Sequence, residues 1–416
     1  MKPYLFLFVF LLPFVRAAEP VAVNDLVASI VVQNPERSFY QEAIAAARAD
    51  TKLAGRRSDP ELSFDVGRKR VHSGNALAAE GTAWSVSVTQ TFDWPGRLAL
   101  RKALANHDLQ LAELGLNRFD RALEARARQL SQGLYAAHTK SQAVREVADR
   151  FSDLKTTFLA RDPAGITPLL ETRVIEAAEL SLQRRATDAE LAVQAALIEL
   201  NQLRGAAADE PLRVAAEVVE FADIPDNAAL LTAARENNFA YAMRRVELEQ
   251  QGVAVDLARH ERRPGVSVSP FVAQEKAGDR ETIVGLGFSV PLPMPGRTGA
   301  TVSAAESRKR QAEAALFVAQ RDLERAVLTA AQAYRTKVAE LRRWAPETLE
   351  QFRSAAALAD RHYRLGAIAI STYVELQTSY LDAVEALLDL QSEALAASLE
   401  LQELTGLDLN PLNATP

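Results

Sequence analysis

The chain has 416 residues, a formal net charge of −6 and no cysteine. It can therefore form no disulfide and no thiolate metal site, and it cannot carry a lipid on an N-terminal cysteine. Its acidic balance disfavours a nucleic-acid-binding face. Ala, Leu, Arg and Glu are abundant and aromatic residues make up only 6%, so the composition favours long helices over several ordinary globular domains.

Residues 1–18 have the pattern of a secretory signal peptide. Lys2 precedes an apolar run over 4–15, and Arg16-Ala17-Ala18 follows it. An N-terminal membrane anchor is disfavoured, because a dozen or so apolar residues are fewer than the roughly 20 that a spanning helix needs. We therefore expect an exported protein whose mature chain begins near Ala18 or Glu19.

The remainder of the chain reads as a duplication, because the same landmarks recur in the same order with offsets between 199 and 204. Trp94-Pro95-Gly96-Arg97 corresponds to Met294-Pro295-Gly296-Arg297, and Leu203-Arg204-Gly205 corresponds to Leu404-Thr405-Gly406. The predicted organisation is a first repeat over 19–205, a linker over 206–226, a second repeat over 227–406 and a C-terminal tail over 407–416.

Each repeat has one segment in which apolar residues alternate with small or polar ones, which predicts β-hairpins over about 60–93 and about 265–293. The connections, 72–82 and 274–281, contain Gly, Asn, Asp and charged residues and are predicted to be solvated loops. Strands of this length and alternation suit a membrane barrel as well as a small soluble sheet. The apolar positions of the first hairpin are Leu62, Phe64, Val66, Trp84, Val86 and Val88.

A long helix and a returning helix follow each hairpin. Helix-forming residues dominate about 97–161 and about 297–364, where the only proline is Pro346. About 65 residues would form a rod of roughly 100 Å, with apolar residues at the spacing of packed helices and charged residues elsewhere. The return helices are predicted over about 167–204 and about 371–405. Their proposed N-caps are Thr167 and Ser371, and their proposed C-caps are Gly205 and Gly406.

Four strands per chain cannot close a barrel, yet lipid tolerates only sheets without free edges. Three chains would supply twelve strands, which is within the range of membrane barrels. The predicted fold class is therefore mostly α with a small β part. Its protomer is a duplicated helical hairpin and β-hairpin, and three protomers form a trimeric β-barrel with a long α-helical barrel.

The duplicated plan, the strand-to-helix corners over 92–97 and 290–297, and the stretch 363–377 after the second tip resemble the TolC family of outer-membrane efflux proteins over 19–410. The Pro-Leu-Pro sequence before the second long helix is similar to the CzcC-like heavy-metal efflux branch. The resemblance implies a passive exit duct that lies in the outer membrane of a Gram-negative bacterium and extends into the periplasm. Its implied cargo is divalent heavy-metal cations, with drugs or secreted polypeptides as the alternatives.

The implied partners are two further copies of the chain, outer-membrane lipid, a periplasmic adaptor (membrane-fusion) protein and an inner-membrane pump of the RND type. By the same resemblance, six tip residues would lie where the adaptor docks and the duct opens: Asp162, Gly165, Thr167, Gly366, Ser371 and Thr372. Each of them can equally be a turn or cap residue. In a trimer Asp162 would also form a ring of carboxylates that attracts cations. The corner residues are Pro95, Gly96, Arg97, Pro295, Gly296 and Arg297.

No catalytic residue, cofactor site or metal site stands out. The five histidines lack the i, i+4 spacing of a helical metal site, and Pro264 occupies the place of the second histidine in a zinc-protease motif that begins at His260-Glu261. We expect no enzyme activity and no cofactor. A periplasmic adaptor or a coiled-coil scaffold is the alternative of another class, although an adaptor would carry one helical hairpin per chain and this sequence predicts two.

Overall fold

The computed structural model describes residues 19–161, 169–216, 219–292, 296–344 and 348–411. The predicted signal peptide, the tip residues Asp162, Gly165 and Thr167, and the corner residue Pro295 lie outside these ranges. Two compact units form, and each takes segments from both halves of the chain. The helical unit comprises Met1–Pro35, Arg121–Asn227 and Leu328–Pro416, and the sheet unit comprises Glu36–Asp120 and Ala228–Val327.

The described elements follow one another in the same order in the two halves: helices, a hairpin, a long helical segment and a return helix. The duplication itself stays a prediction. The first half contains β1 (Pro20–Val21), α1 (Val23–Gln33), α2 (Glu36–Ala54), β2 (Glu61–Ser73), β3 (Ala76–Phe92), α3 (Arg97–Arg161) and α4 (Leu169–Arg204). The second contains β4 (Arg213–Val214), α5 (Asn227–Asn237), α6 (Phe239–His260), β5 (Val266–Ala277), β6 (Asp279–Ser289), α7 (Arg297–Leu341), α8 (Thr348–Arg364) and α9 (Ile370–Thr405).

One antiparallel sheet of order β2-β3-β5-β6 dominates the sheet unit. The two predicted hairpins are joined in it by pairing between β3 and β5, for example Val86 with Val272. A separate pair, β1 with β4, is parallel and two residues long, and it belongs to the helical unit. None of the described helices combines the length and the apolar character needed to cross a membrane.

The prediction of loops over 72–82 and 274–281 is wrong, because the strands continue through most of both segments. Only 74–75 separate β2 from β3, and only Gly278 separates β5 from β6. Gly74 and Gly278 have φ angles of 66° and 92°, in the region that suits glycine at a tight turn. The polar residues that suggested a loop are satisfied across the strands: Arg70 Nε lies 3.2 Å from a Glu80 oxygen.

Helices that enter and leave the sheet pack against each other within the sheet unit. In the first half Tyr40 of α2 stacks on Phe119 of α3 with ring centroids 4.6 Å apart, and Arg37 pairs with Asp120 at 2.9 Å. In the second half α6 and α7 share a buried cluster formed by Val255, Ala258, Val302 and Ala305. Because all of these helices connect to the sheet opposite its hairpin turns, the unit has a helix end and a turn end.

The core of the helical unit lies between α3, α4, α8 and α9. Large side chains such as Phe151 of α3 and Tyr373 of α9 are almost completely buried there. Alanines such as Ala143 and Ala356 fill the positions between them. This alternation of large and small residues allows neighbouring helices to interdigitate at close range.

The second long helix, predicted as one element over 297–364, is divided in the structure. Helix α7 ends at Leu341, and the N–H groups of Arg343 and Trp344 donate to carbonyls only three residues back, at 3.1 Å each. Helix α8 begins at Thr348. The sequence gives the physical reason, since Pro346 lacks the N–H that a continuing helix would use. The prediction treated this proline as tolerated, and that was wrong.

Candidate functional site

One face of the four-stranded sheet is apolar and exposed, and we call it the apolar face. Phe64, Val86, Val272 and Val284 are directly paired neighbours across all four strands. Phe64 is 65% exposed and Val284 is 75% exposed. An exposed apolar surface of this kind marks a membrane or protein contact. Further exposed members of the face are Leu62, Val66, Val88, Leu286 and Phe288.

The opposite face of the same sheet is polar, and we call it the polar face. Ser85 donates to Asp65 at 2.9 Å, and the hydroxyls of Thr89 and Ser269 lie 2.8 Å apart. Near the turn end, Lys69 Nζ lies 2.6 Å from Glu275 and 3.2 Å from Glu281. These polar groups satisfy one another across strands, so this face is suited to water.

Both outer strands of the sheet have a free edge within the described part of the chain. Strand β2 has 13 residues and pairs only with β3, and strand β6 has 11 residues and pairs only with β5. A long edge strand exposes a row of unpaired backbone groups, which favours pairing with another chain.

The two strand-to-helix corners share one backbone conformation. Gly96 and Gly296 have φ angles of 92° and 93°. Each glycine carbonyl accepts the first hydrogen bond of the helix that follows, from Leu100 and Ala300 respectively, at 3.0 Å in both cases. A residue with a Cβ atom is strained at such an angle, which explains why glycine stands at both corners. Pro95 precedes the first of them and is exposed.

The arginines that follow these glycines differ. Arg97 is 15% exposed at its side chain, and it pairs with Asp93 at 3.3 Å and with Glu261 at 3.9 Å. Arg297 is exposed, and no ion pair to it occurs in the described part of the chain. Among the described residues, the same motif therefore fixes the corner through a side-chain network in the first half and not in the second.

The turn between α8 and α9 contains the three predicted tip residues that the structure describes. Gly366 has a φ of 70°, and its N–H donates to the Tyr363 carbonyl at 2.9 Å while that of Ala367 donates to His362 at 2.9 Å. This is the Schellman arrangement that ends a helix. Gly366 is thus the cap of α8, and its predicted part in docking stays a prediction.

Helix α9 begins differently from the prediction. Its N-cap is Ala369, which makes no side-chain capping bond, so the assignment of Ser371 as N-cap was wrong. Ser371 and Thr372 lie in the first turn of α9 and are exposed. The helix starts earlier because the backbone N–H of Tyr373 already bonds to the Ala369 carbonyl at 3.1 Å. The predicted C-caps are confirmed, since Gly205 and Gly406 have φ angles of 69° and 70°.

Tyr373 is the central residue beside this turn, and the sequence prediction omitted it. Its ring lies 5.0 Å from that of Phe151 and 5.1 Å from that of Tyr363, and its hydroxyl donates to Asp360 at 3.3 Å. Burial raises the pKa of Tyr373 above its ordinary value and raises the pKa of Tyr363 to about 12. The spacing of Tyr373, Gln377 and Tyr380 at three and four could have indicated this buried face.

Within the described ranges no three His, Asp or Glu side chains come together in a way that could hold a metal ion. The two features that stand out are therefore the two-faced sheet with free edges and the capped turn between α8 and α9.

The family profile "Outer membrane efflux protein" matches residues 230–407, which contain the second hairpin, the second corner and the α8–α9 turn. The second half of the chain is therefore similar to this family. No curated protein sequence matches the chain. The resemblance predicted from the corner motifs and the duplicated plan is confirmed.

Solved structures extend the likeness to nearly the whole chain. CusC, whose structures concern transmembrane channel formation, is 15% identical with a TM-score of 0.74, covering 94% of this chain and 93% of its own. The CmeC outer membrane channel of Campylobacter jejuni is 14% identical with a TM-score of 0.76, covering 96% and 91%. The MtrE outer membrane channel of Neisseria gonorrhoeae, in its open state, is 15% identical with a TM-score of 0.73, covering 94% and 91%.

These similarities bear on the coarse predictions made from the sequence. The fold class is confirmed, because the chain has the helical and sheet architecture of these channels. The family profile and these structures support the predicted outer-membrane location and the role as an efflux channel rather than an enzyme.

Proposed function

We propose that three copies of this chain assemble into the exit duct of a tripartite efflux system. The observation that carries the proposal is the sheet with one exposed apolar face, one polar face and two free edges. Pairing of β2 of one copy with β6 of the next would satisfy both edges, and three copies would supply twelve strands. The apolar face would then meet lipid, and the polar face would line a water-filled passage.

The proposed partners are a periplasmic adaptor and an inner-membrane pump of the RND type. Gly366, Ser371 and Thr372 support this proposal, because they lie at an exposed turn that a buried aromatic cluster holds in place. We propose that this turn docks the adaptor. Asp162, Gly165 and Thr167 belong to the same proposal on sequence grounds alone.

The proposed cargo is divalent heavy-metal cations. The charges on the polar face support this, because carboxylates outnumber cations there. The cation is Lys69, and the carboxylates are those of Glu61, Asp65, Glu275, Asp279 and Glu281. Three copies would repeat this excess around the passage and lower the energy of a cation inside it. The Pro-Leu-Pro sequence at 291–293, similar to the heavy-metal branch, points the same way.

The assembly is tested by disulfide cross-linking, for which a chain without cysteine is well suited. One cysteine on β2, at Ser63 or Asp65, is combined with one on β6, at Gly285, Gly287 or Ser289. We expect at least one combination to give a covalent trimer after mild oxidation in native outer membranes. A single cysteine on Arg184, in the exposed part of α4, serves as the control. Monomers from every combination would contradict the proposed closure.

The cargo is tested separately in cells that lack the protein. We expect increased sensitivity to divalent metal salts, restored by the wild-type chain, and little change towards dyes and detergents. Sensitivity to dyes and detergents without sensitivity to metals would assign the duct to drugs instead.

A further inference from the structure

A row of cations crosses the sheet on the same side as the apolar face, close to the turn end. Arg68, Thr82, Lys276 and Arg280 are directly paired neighbours on β2, β3, β5 and β6. We call Arg68, Lys276 and Arg280 the basic row. All three side chains are exposed. Lys276 and Arg280 are adjacent, and Thr82 separates them from Arg68 in the same row.

The charges of this row are incompletely neutralised. Arg68 lies 3.1 Å from Glu80, which it shares with Arg70. Lys276 and Arg280 stand directly opposite each other, and neither has an ion-pair partner among the described residues. Like charges in directly opposite positions destabilise a sheet unless an anion lies between them. The sheet therefore presents a site at which a bound anion would be stabilised.

The position of the basic row on the sheet indicates which anion fits. One row nearer the helix end lie Val66, Trp84, Gln274 and Thr282, which are of mixed polarity, and the next row contains Phe64 and Val284. Each step of two residues advances about 6.6 Å along a strand, so the cations lie about 13 Å from the fully apolar row. The surface thus changes from apolar, through a row of mixed polarity that contains Trp84, to cationic, as a protein surface does where a bilayer meets its headgroups.

We propose that the basic row binds the phosphate groups of anionic lipid headgroups in the outer leaflet of the outer membrane. This inference rests on the proposed function, in which the apolar face meets lipid and the helices leave the sheet on the periplasmic side. Lys and Arg bind phosphate through charge-assisted hydrogen bonds. A free anion would need only the cations, whereas a lipid also uses the apolar face, against which its acyl chains lie.

The test uses the assembled full-length channel, purified in a mild detergent, with lipid A as the probe. Binding of lipid A and of the same lipid with its phosphates removed is compared by native mass spectrometry. We expect the wild-type channel to prefer the phosphorylated form. The Lys276→Gln/Arg280→Gln variant should bind that form at least about tenfold more weakly, because the loss of even one charge-assisted hydrogen bond would produce this change. The exchanged variant Lys276→Arg/Arg280→Lys should keep the preference.

A matched control removes the same charge elsewhere. Arg184→Gln/Arg325→Gln replaces two exposed arginines on α4 and α7 and should bind lipid A as the wild type does. Equal binding of the two lipid forms by the wild type, or unchanged binding by the Lys276→Gln/Arg280→Gln variant, would overturn the inference. Displacement of lipid A by an equal concentration of inorganic phosphate would also overturn it, because the site would then prefer a free ion.

Cross-linking of β2 to β6 separates this inference from the proposed function. If trimers form but lipid A and its dephosphorylated form bind alike, only the basic row has been assigned wrongly. If no combination of cysteines on β2 and β6 gives a trimer, the proposed duct itself is refuted.

Discussion

Tyr363 and Tyr373 stack across the α8–α9 turn with ring centroids 5.1 Å apart and planes inclined by 16°. The pair joins the last turn of α8 to the first turn of α9, and Phe151 of α3 packs against Tyr373 with ring centroids 5.0 Å apart. Because Gly366 caps α8 between them, the backbone of the turn and the aromatic cluster beneath it depend on each other. The exposed residues Ser371 and Thr372 therefore lie on a turn that packs on this aromatic cluster.

The titration of Tyr363 should make this region sensitive to alkali. Burial raises its pKa from 10.0 to about 12, so the folded protein keeps the hydroxyl protonated at pH values where the unfolded chain loses the proton. The stabilisation is complete below about pH 10 and is lost as the pH rises towards 12. We expect the free energy of unfolding to fall less steeply between pH 10 and 12 in Tyr363→Phe than in the wild type, as measured by circular dichroism on the purified channel. Parallel curves for the two proteins would contradict this.

Much of the sheet was predictable from its alternation, whereas its extent was not. Leu62, Phe64 and Val66 show the period of two directly. The predicted loops contain the charged residues Glu80, Glu275 and Glu281. Only their partners on other strands, Arg70 and Lys69, reveal that the strands continue. Those pairings are non-local, so a local pattern could not show them.

Some helix ends were also predictable from the sequence, and others were not. Gly205, Gly366 and Gly406 were recognisable because a left-handed C-cap favours glycine, a preference visible in the sequence. The start of α9 was not recognisable, since Ala369 makes no side-chain cap and a serine two residues later suggested itself. Tyr373 was overlooked for another reason: its importance lies in contacts with Phe151 and Tyr363 from two other helices.

Gly366 should tolerate no side chain without loss of stability. Its φ of 70° costs an L-residue roughly 1 to 2 kcal/mol, so we expect Gly366→Ala to lower the free energy of unfolding by about that amount. Gly133→Ala is the matched control, because Gly133 lies within α3 and an added Cβ would meet no atom within 4 Å. That change should stabilise the protein by about 0.5 to 1 kcal/mol. Chemical denaturation of both variants gives the two values, and losses of equal size would refute the role of the φ angle.

The two corner arginines should respond differently to truncation. Arg97→Ala removes a largely buried guanidinium from Asp93 and Glu261, and we expect a loss of about 1 to 2 kcal/mol because Arg101 continues to pair with Asp93 at 2.7 Å. Arg297→Ala changes an exposed side chain and should cost less than about 0.5 kcal/mol. Denaturation midpoints of the two variants check the difference. An equal effect at both corners would show that the contacts of Arg97 contribute nothing to stability.

Neighbouring residues on opposite faces of β2 offer the sharpest test of which face meets lipid. Phe64 lies on the apolar face and Ser63 on the polar face, and both are exposed in the single chain. A lysine on a lipid-facing strand costs about 2 to 4 kcal/mol near the bilayer midplane, whereas a lysine facing water costs little. Phe64→Lys should therefore reduce the amount of assembled trimer in the outer-membrane fraction, and Ser63→Lys should leave it close to the wild-type level. Both variants add one positive charge to the same strand, so overall charge and strand propensity cannot explain a difference between them. If Ser63→Lys were the more damaging change, the polar face would be the one in contact with lipid, and the proposed arrangement of the barrel would have to be reversed.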